Sequence, residues 1–330
     1  MPKFLMIRFS SIGDIVLTTP VIRCLKKQVP GAEVHFLTKE AFRPILKANP
    51  YIDKIHVLAH SGELMMHELK LEGYDYIIDL HHNLRTLRVK KELGVKSFSF
   101  NKLNIQKYIY TNFKINLLPD VHIVDRYLET VSSFGVTNDG KGLDYFIPEE
   151  DHIKHNDLPV SHQAGYLAVV IGAAHATKRL PQEKLKAVCS RIPHPLVLLG
   201  GKEDAATALE IASVDPVKIY NACGKFELNE SADIIRKAKL VLSHDTGLMH
   251  IAAAFKKPVI SVWGNTVPRF GMYPYYGSTQ VNNFQLQVNK LRCRPCSKIG
   301  YDKCPKGHFK CMNAIPDDRI VETVNAFLGK

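Results

Sequence analysis

Four short segments of the sequence gather side chains that bind anions or move protons. The first is Arg8-Phe9-Ser10-Ser11-Ile12-Gly13-Asp14. Small residues ahead of a helix leave backbone N–H groups open to an anion, and Gly13 lets a ligand approach the main chain. Asp14 reads two ways: as a helix cap it satisfies a backbone donor, and as a carboxylate at a ligand site it can take a proton from a hydroxyl nucleophile. The second segment, Ala173 to Pro181, carries Lys178 and Arg179, cations suited to a diphosphate. In the third, Gly200-Gly201-Lys202-Glu203-Asp204, the glycines admit a close ligand. Glu203 there can accept from ribose hydroxyls, or only favour a helix N-terminus. The fourth, Ser243-His244-Asp245-Thr246-Gly247-Leu248-Met249-His250, packs cap formers, a carboxylate and two histidines around one helix start. That is either plain capping or a cradle for a diphosphate and sugar hydroxyls. His250 alone reads as a hydrogen-bonded core histidine.

Cys293, Cys296, Cys304 and Cys311 fall within 19 residues, with His308 close by. Four such thiols can hold a structural zinc ion tetrahedrally. Their seven- and six-residue gaps match no common zinc finger, so reduced thiols packing a compact loop is the competing reading. Cys24, Cys189 and Cys223 read as core residues. Seven cysteines without an export signal point to a reducing compartment, and the expected location is cytoplasmic.

The chemistry-bearing segments all fall where a strand meets a helix. Phe4–Ile7, Val34–Leu37, Lys54–Leu58 and Tyr76–Leu80 are short apolar runs, each followed by a helical pattern. The pattern lapses into Gly, Asp, Glu, His and Pro between Asn138 and Gln163, which marks a link between domains. It restarts with strands at 166–171, 196–199, 217–220, 240–243 and 258–262, and with a closing helix over 320–328. Continuous apolar runs belong to strands covered on both faces, so the reading is α/β: two doubly wound parallel sheets in tandem. Ligands bind such sheets at the C-terminal ends of the strands.

A chain of 330 residues suits two domains, and 45% hydrophobic with 23% charged residues is ordinary for a globular protein. The net charge of +12 is concentrated. Eight Lys or Arg stand against Glu92 between Leu84 and Lys114, and seven against Asp302 between Lys290 and Lys310. Such patches imply anionic partners or a solvated surface. No uninterrupted apolar stretch is long enough to span a bilayer.

Ser10-Ser11-Ile12-Gly13-Asp14 followed by Thr18-Thr19-Pro20 resembles the opening signature of the ADP-heptose:lipopolysaccharide heptosyltransferases. Asp79-Leu80-His81-His82-Asn83-Leu84-Arg85, Lys178-Arg179-Leu180-Pro181, Asp245-Thr246-Gly247-Leu248-Met249-His250 and Trp263-Gly264-Asn265-Thr266 match in order and spacing. The resemblance covers nearly the whole chain. It implies a glycosyltransferase-B fold, with two Rossmann-like domains facing across a cleft. Residues 1–160 would bind the acceptor and 161–330 the nucleotide-sugar donor, and a C-terminal helix near 316–328 would pack back on the first domain. It also implies inverting, metal-independent transfer, with no cofactor beyond ADP-heptose as co-substrate. By position, Asp14 is the base, and Lys178, Thr246, Gly247 and Leu248 hold the donor diphosphate. Glu203 takes the nucleotide ribose and Asp245 the transferred sugar, and Gly13 and His250 complete the donor set. Asn83, Arg85, Arg88 and Arg126 would meet a phosphorylated, lipid-linked saccharide acceptor, with the protein touching an anionic membrane surface peripherally. The chain departs from the family pattern at Leu180, usually Trp, and at Val267, usually an acid.

Two rival readings stay open on the residues alone. One keeps the fold but changes the sugar or replaces transfer by epimerisation. The other is a non-enzymatic sugar- or RNA-binding module. Trp263 is the only Trp and no RNA-binding motif appears, so nucleic acid is not an expected partner.

Overall fold

The computed structural model describes residues 1–58 and 62–329. Five parallel strands form the first sheet: β1 (Lys3–Ile7), β2 (Glu33–Thr38), β3 (Lys54–Val57), β4 (Tyr76–Asp79) and β5 (Lys96–Ser99), in the order β3-β2-β1-β4-β5. Six form the second: β6 (Leu167–Val170), β7 (Leu196–Leu199), β8 (Ile219–Asn221), β9 (Leu240–His244), β10 (Val259–Trp263) and β11 (Asn283–Gln287), in the order β11-β10-β9-β6-β7-β8. In each sheet the order reverses beside the first strand, β1 or β6. That is the doubly wound arrangement, α/β as the apolar runs required.

Alternation along the strands explains the two-sided burial. Leu167, Val169, Leu196, Leu198, Leu240, Leu242, Ile260 and Val262 enter one core of the second sheet. Ala168, Val170, Val197, Leu199, Val241, Val259 and Trp263 enter the other. Helices Gln182–Arg191 and Ala205–Ala212 close the first core through Leu185, Val188, Ala208 and Ile211. The Gly247–Ala254 helix closes the second through Met249 and Ala252. Fully burying each of the Leu, Val, Ile and Met side chains is worth about 1.5–3 kcal/mol, which fixes the strand ends from which the site loops leave.

The chain forms two compact units: residues 1–102 with 121–148 and 275–279, and residues 103–120 with 149–274 and 280–330. Segments 103–120, 149–160 and 275–279 fall on the other side of the expected 1–160 and 161–330 division, and the closing helix departs from the expectation that it packs back on the first domain. Segment 103–120 belongs to the second unit because Leu103 and Leu118 share an apolar cluster with Val267 and Phe270. The Asp317–Leu328 helix packs in the second unit too, burying Ile320, Val321 and Val324 and pairing Asp317 with Lys184 at 2.5 Å. After β1 the chain folds as two helices, Ile12–Val16 and Thr19–Gln28, with Thr18 at the N-cap and Pro20 in the first turn of the second. No helix of the described residues is long and apolar enough to cross a membrane.

Candidate active site

Asp14 is anchored at the end of β1. Ser11 caps the Ile12–Val16 helix, and Asp14 returns the favour as its third residue, accepting from Ser11 N at 3.2 Å and Ser11 Oγ at 2.9 Å. Its other oxygen, Oδ1, lies 2.7 Å from Arg8 Nη2. Arg8 is itself buried and donates to Ser10 O at 2.7 Å, Leu80 O at 2.5 Å and Tyr127 OH at 3.1 Å. Burial works against the Asp14 charge, but the Arg8 guanidinium and the Ser11 donors outweigh it and hold the carboxyl below the ordinary Asp value. The lowered pKa keeps the carboxylate ionised at neutral pH, and the Asp14 side chain retains 20% of its surface exposed. The cap and the proton acceptor are thus compatible roles of one residue. The sequence segment contained Arg8 but gave no sign that it would be the counter-ion.

Strand order brings the Asp79–Arg85 segment beside this carboxylate, because β4 pairs with β1. Asp79 is wholly buried, accepts from His81 N at 3.1 Å and His82 N at 2.6 Å, and pairs with Lys90 at 3.0 Å. The His81 ring packs on Phe9, with centroids 5.0 Å apart. Burial, with Arg8 and Lys102 nearby, lowers its pKa to about 4, so it is neutral at pH 7. Asn83 caps the Leu84–Leu93 helix, accepting from Thr86 N at 3.0 Å, and Gly94 ends that helix in the left-handed region at φ 67°. Arg85 is exposed, and Arg88 is exposed and paired with Glu92 at 2.8 Å. Arg126 is buried and donates to Asn101 O at 3.2 Å, next to Phe100, whose carbonyl lies 3.0 Å from His82 Nδ1.

The second unit assembles its polar groups by the same topology. β10, β9 and β6 are neighbours, so the turns after them lie side by side. Lys178 Nζ sits 2.7 Å from Asp245 Oδ2 and donates to Asp245 O at 3.3 Å. Thr266 Oγ1 donates to the same Oδ2 at 2.9 Å. An ammonium has three donors, so one N–H of Lys178 is left for a further acceptor. His244 fixes the turn from below: its Nε2 accepts from Leu180 N at 2.9 Å, and burial lowers its pKa to about 3, so it stays neutral. Thr246 begins the Gly247–Ala254 helix without a side-chain cap bond, and Thr246, Gly247 and Leu248 are half-buried around that helix start. Their N–H groups point the positive end of the helix at whatever occupies the turn. His250 is buried one turn further in.

Arg179, paired with Lys178 in the sequence reading, has a structural task. Its Nη1 binds Asp204 Oδ1 at 2.7 Å, and Nε donates to Ala173 O at 2.8 Å. Asp204 also accepts from Gly201 N at 3.0 Å, and a Cβ on Gly172 or Gly200 would run into its carboxylate. Glu203 beside it is exposed. Where the family pattern carries an acid, Val267 is buried in the apolar cluster with Phe270, and Leu180 likewise joins the core. A basic cavity of about 680 Å³ adjoins this region, lined by Lys114, Arg269, Lys290, Arg292 and Arg294 and by no acid.

The family model described as glycosyltransferase family 9 (heptosyltransferase) matches residues 64–301. The chain belongs to this family. As a family 9 glycosyltransferase it is 25% identical to lipopolysaccharide heptosyltransferase 1 of Campylobacter coli, with 99% of each chain covered. Its fold is similar to that of the family 9 glycosyl transferase from Veillonella parvula, at TM-score 0.78, 22% identity and coverage of 99% and 97%. It is similar also to the E. coli ADP-heptose LPS heptosyltransferase II, at TM-score 0.74, 18% identity and coverage of 99% and 98%. The two parallel sheets are those of the glycosyltransferase-B fold. A family 9 enzyme transfers a sugar.

Proposed function

We propose that this glycosyltransferase moves a heptose from ADP-heptose to an anionic lipopolysaccharide inner-core acceptor, with inversion at the anomeric carbon. The observation that carries the donor half is the Lys178–Asp245–Thr266 constellation at the uncapped start of the Gly247–Ala254 helix. A diphosphate leaving group gains charge as its bond to the sugar breaks. One free Lys178 N–H and the N–H groups of Thr246, Gly247 and Leu248 are donors set in advance for that charge. Glu203, exposed beside Gly201, takes the ribose hydroxyls. Asp245, held by Lys178 and Thr266, offers its remaining lone pairs to sugar hydroxyls, with His250 supporting the turn.

On the first unit, Asp14 removes the proton of the attacking hydroxyl, and Gly13 leaves room for ligand against the main chain. Arg85 and Arg88, exposed on the Leu84–Leu93 helix, and the arginine- and lysine-lined cavity supply cations for acceptor phosphates and for an anionic membrane surface. The reading is supported by relatives whose names specify ADP-heptose and lipopolysaccharide. Calorimetric titration with ADP, UDP, GDP and their sugars tests it, followed by product analysis with a phosphorylated inner-core saccharide. Preference for adenine, and a product of inverted anomeric configuration, is expected without added divalent ion. Equal binding of the three nucleotides, or retention, would remove the proposal.

A further inference from the structure

We propose that the basic cavity of the second unit is a subsite for a saccharide phosphomonoester, and that Val267 is the residue that makes it one. Assigning the phosphate to the acceptor rests on the function proposed above; the anion chemistry of the cavity does not.

Three elements build the cavity. The Asn104–Phe113 helix brings Tyr110 and, just past its end, Lys114. The turn after β10 brings Val267 and Arg269, and the loop after β11 brings Lys290, Arg292 and Arg294. β10 pairs with β11, so turn and loop leave the sheet side by side. Val267 and Phe270 pack with Leu103, Leu118 and Tyr110, which seats the helix against the turn. Cys293, Cys296, Cys304 and Cys311 are free thiols, and no three of their sulfurs lie within 4.8 Å of one another, so the tetrahedral metal site weighed from their spacing is not formed. What the loop presents is cations.

Those cations have unspent donors. Arg294, half-buried, donates to Gly264 O at 2.5 Å, Thr266 O at 2.7 Å and Val288 O at 3.0 Å, which leaves two of its N–H groups. Among the described residues no carboxylate pairs with it, and it stays charged at pH 7 although burial lowers its pKa to about 10. Arg269 pairs through Nη1 with Asp120 at 2.7 Å and donates from Nη2 to Leu118 O at 3.1 Å. Its buried Nε has no hydrogen-bond partner among the described residues. Lys290 and Arg292 are exposed at the rim, and no acid lines the cavity. A guanidinium drawn out of water needs an anion, and a phosphomonoester offers three acceptor oxygens with its charge.

The other walls suit a sugar. Tyr110 and Leu291 offer apolar surface to a pyranose face, and the amides of Gln287 and Asn289 can bond hydroxyls. The volume of about 680 Å³ is that of a small-molecule site and larger than a lone phosphate fills. Val267 lines this wall where the family pattern usually carries an acid. A carboxylate there would sit among the arginines and cancel the charge that a phosphate needs. Thr266, the preceding residue, bonds Asp245 at 2.9 Å, so the wall continues into the turn proposed to hold the transferred sugar.

The test is calorimetric titration of the full chain with glucose 6-phosphate, glucose and inorganic phosphate, with ADP added in excess to fill the donor site. Glucose 6-phosphate should bind at least about tenfold more tightly than either of the others, and less tightly as salt rises. Val267→Asp, and Lys290→Gln with Arg292→Gln, should each weaken it about tenfold or more and leave ADP affinity unchanged. Equal binding of glucose and its phosphate, or loss of the sugar phosphate when ADP is added, would overturn the site. So would inorganic phosphate binding as tightly as the sugar phosphate. The rim pair is exposed and decides the matter even if Val267→Asp does not fold. In transfer assays the rim variant should raise KM for a phosphorylated acceptor and not for the same acceptor treated with phosphatase. Equal KM changes for both would overturn the assignment of the phosphate to the acceptor. Failure to bind ADP would count against the donor reading and leave the cavity measurement standing.

Discussion

Arg8 Nη2 and Asp14 Oδ1 lie 2.7 Å apart, so the residue proposed as base is also the counter-ion of a buried arginine. Removing it has two separable consequences. Asp14→Asn keeps an oxygen for Ser11 but loses the basic lone pair and the charge facing Arg8. It should lower kcat by about 10²–10⁴-fold, the usual worth of a general base. It should also cost about 1–3 kcal/mol of stability, the penalty of a buried charged donor left short of its partner. ADP affinity should not move. Steady-state kinetics beside denaturant melts would separate the two, and lost stability with kcat intact would leave Asp14 only as cap and counter-ion.

Arg8 and Ser11 also set the pH behaviour of that base. A depressed carboxyl pKa means that the ion pair stabilises the fold above the ordinary Asp value, and that this stability is lost as pH falls through the folded value. Asp14 therefore remains ionised across neutral and mildly acidic pH. The rate profile should show no acid limb from this residue between about pH 5 and 8. An acid limb with a midpoint near 6 that vanishes in Asp14→Asn would contradict the ion-pair assignment.

Lys178 serves two masters in the donor site. Lys178→Ala removes a phosphate donor and leaves Asp245 uncompensated next to a dianion. ADP binding should weaken by about 1.5–3 kcal/mol, the typical worth of a charged hydrogen bond. Adding Asp245→Asn should recover part of that loss, because the repulsive charge goes with it, and the pair should be non-additive in a double-mutant cycle. Strictly additive effects, or an unchanged ADP dissociation constant in Lys178→Ala, would place the lysine outside the diphosphate site.

The His35–His56–Tyr74 cluster gives a stability signature independent of catalysis. Burial, and His35 beside it, push the His56 pKa down to about 4. In the unfolded chain the same ring titrates near 6.5, so the unfolded chain takes up the proton first. Stability is therefore complete above about pH 6.5 and falls as pH drops toward 4, by at most about 3 kcal/mol from this residue. Urea melts at pH 7.5, 6 and 5 should show the slope, and His56→Gln should flatten it. An unaltered slope in that variant would show that other groups carry the acid sensitivity.

Much of this architecture is legible in the residues alone. Uninterrupted apolar runs such as Phe4–Ile7 and Leu196–Leu199 can be buried on both faces only in a parallel sheet covered by helices, so fold class followed from pattern. Polar and glycine-rich turns at the ends of those runs marked the Asp14, Lys178 and Asp245 segments. Two of the four edge strands escaped notice: Lys-Ser-Phe-Ser at β5 and Asn-Phe-Gln-Leu-Gln at β11 face solvent along much of their length and carry no apolar run. The place of segment 103–120 escaped too, because Leu103 and Leu118 find their apolar partners at Val267 and Phe270, far along the chain.

The sequence determined which residues lie at strand ends and what each is able to do there. Which of them meet was decided by strand order. β6 lies beside β9 and β9 beside β10, so Lys178, Asp245 and Thr266 converge although 67 and 21 residues separate the successive pairs. β1 lies beside β4, so Arg8 reaches Leu80 O as well as Asp14. Local spacing records the helix and strand period of one segment. Ion pairs between segments depend on which strands share hydrogen bonds, and that order arises only when the whole sheet buries both of its faces.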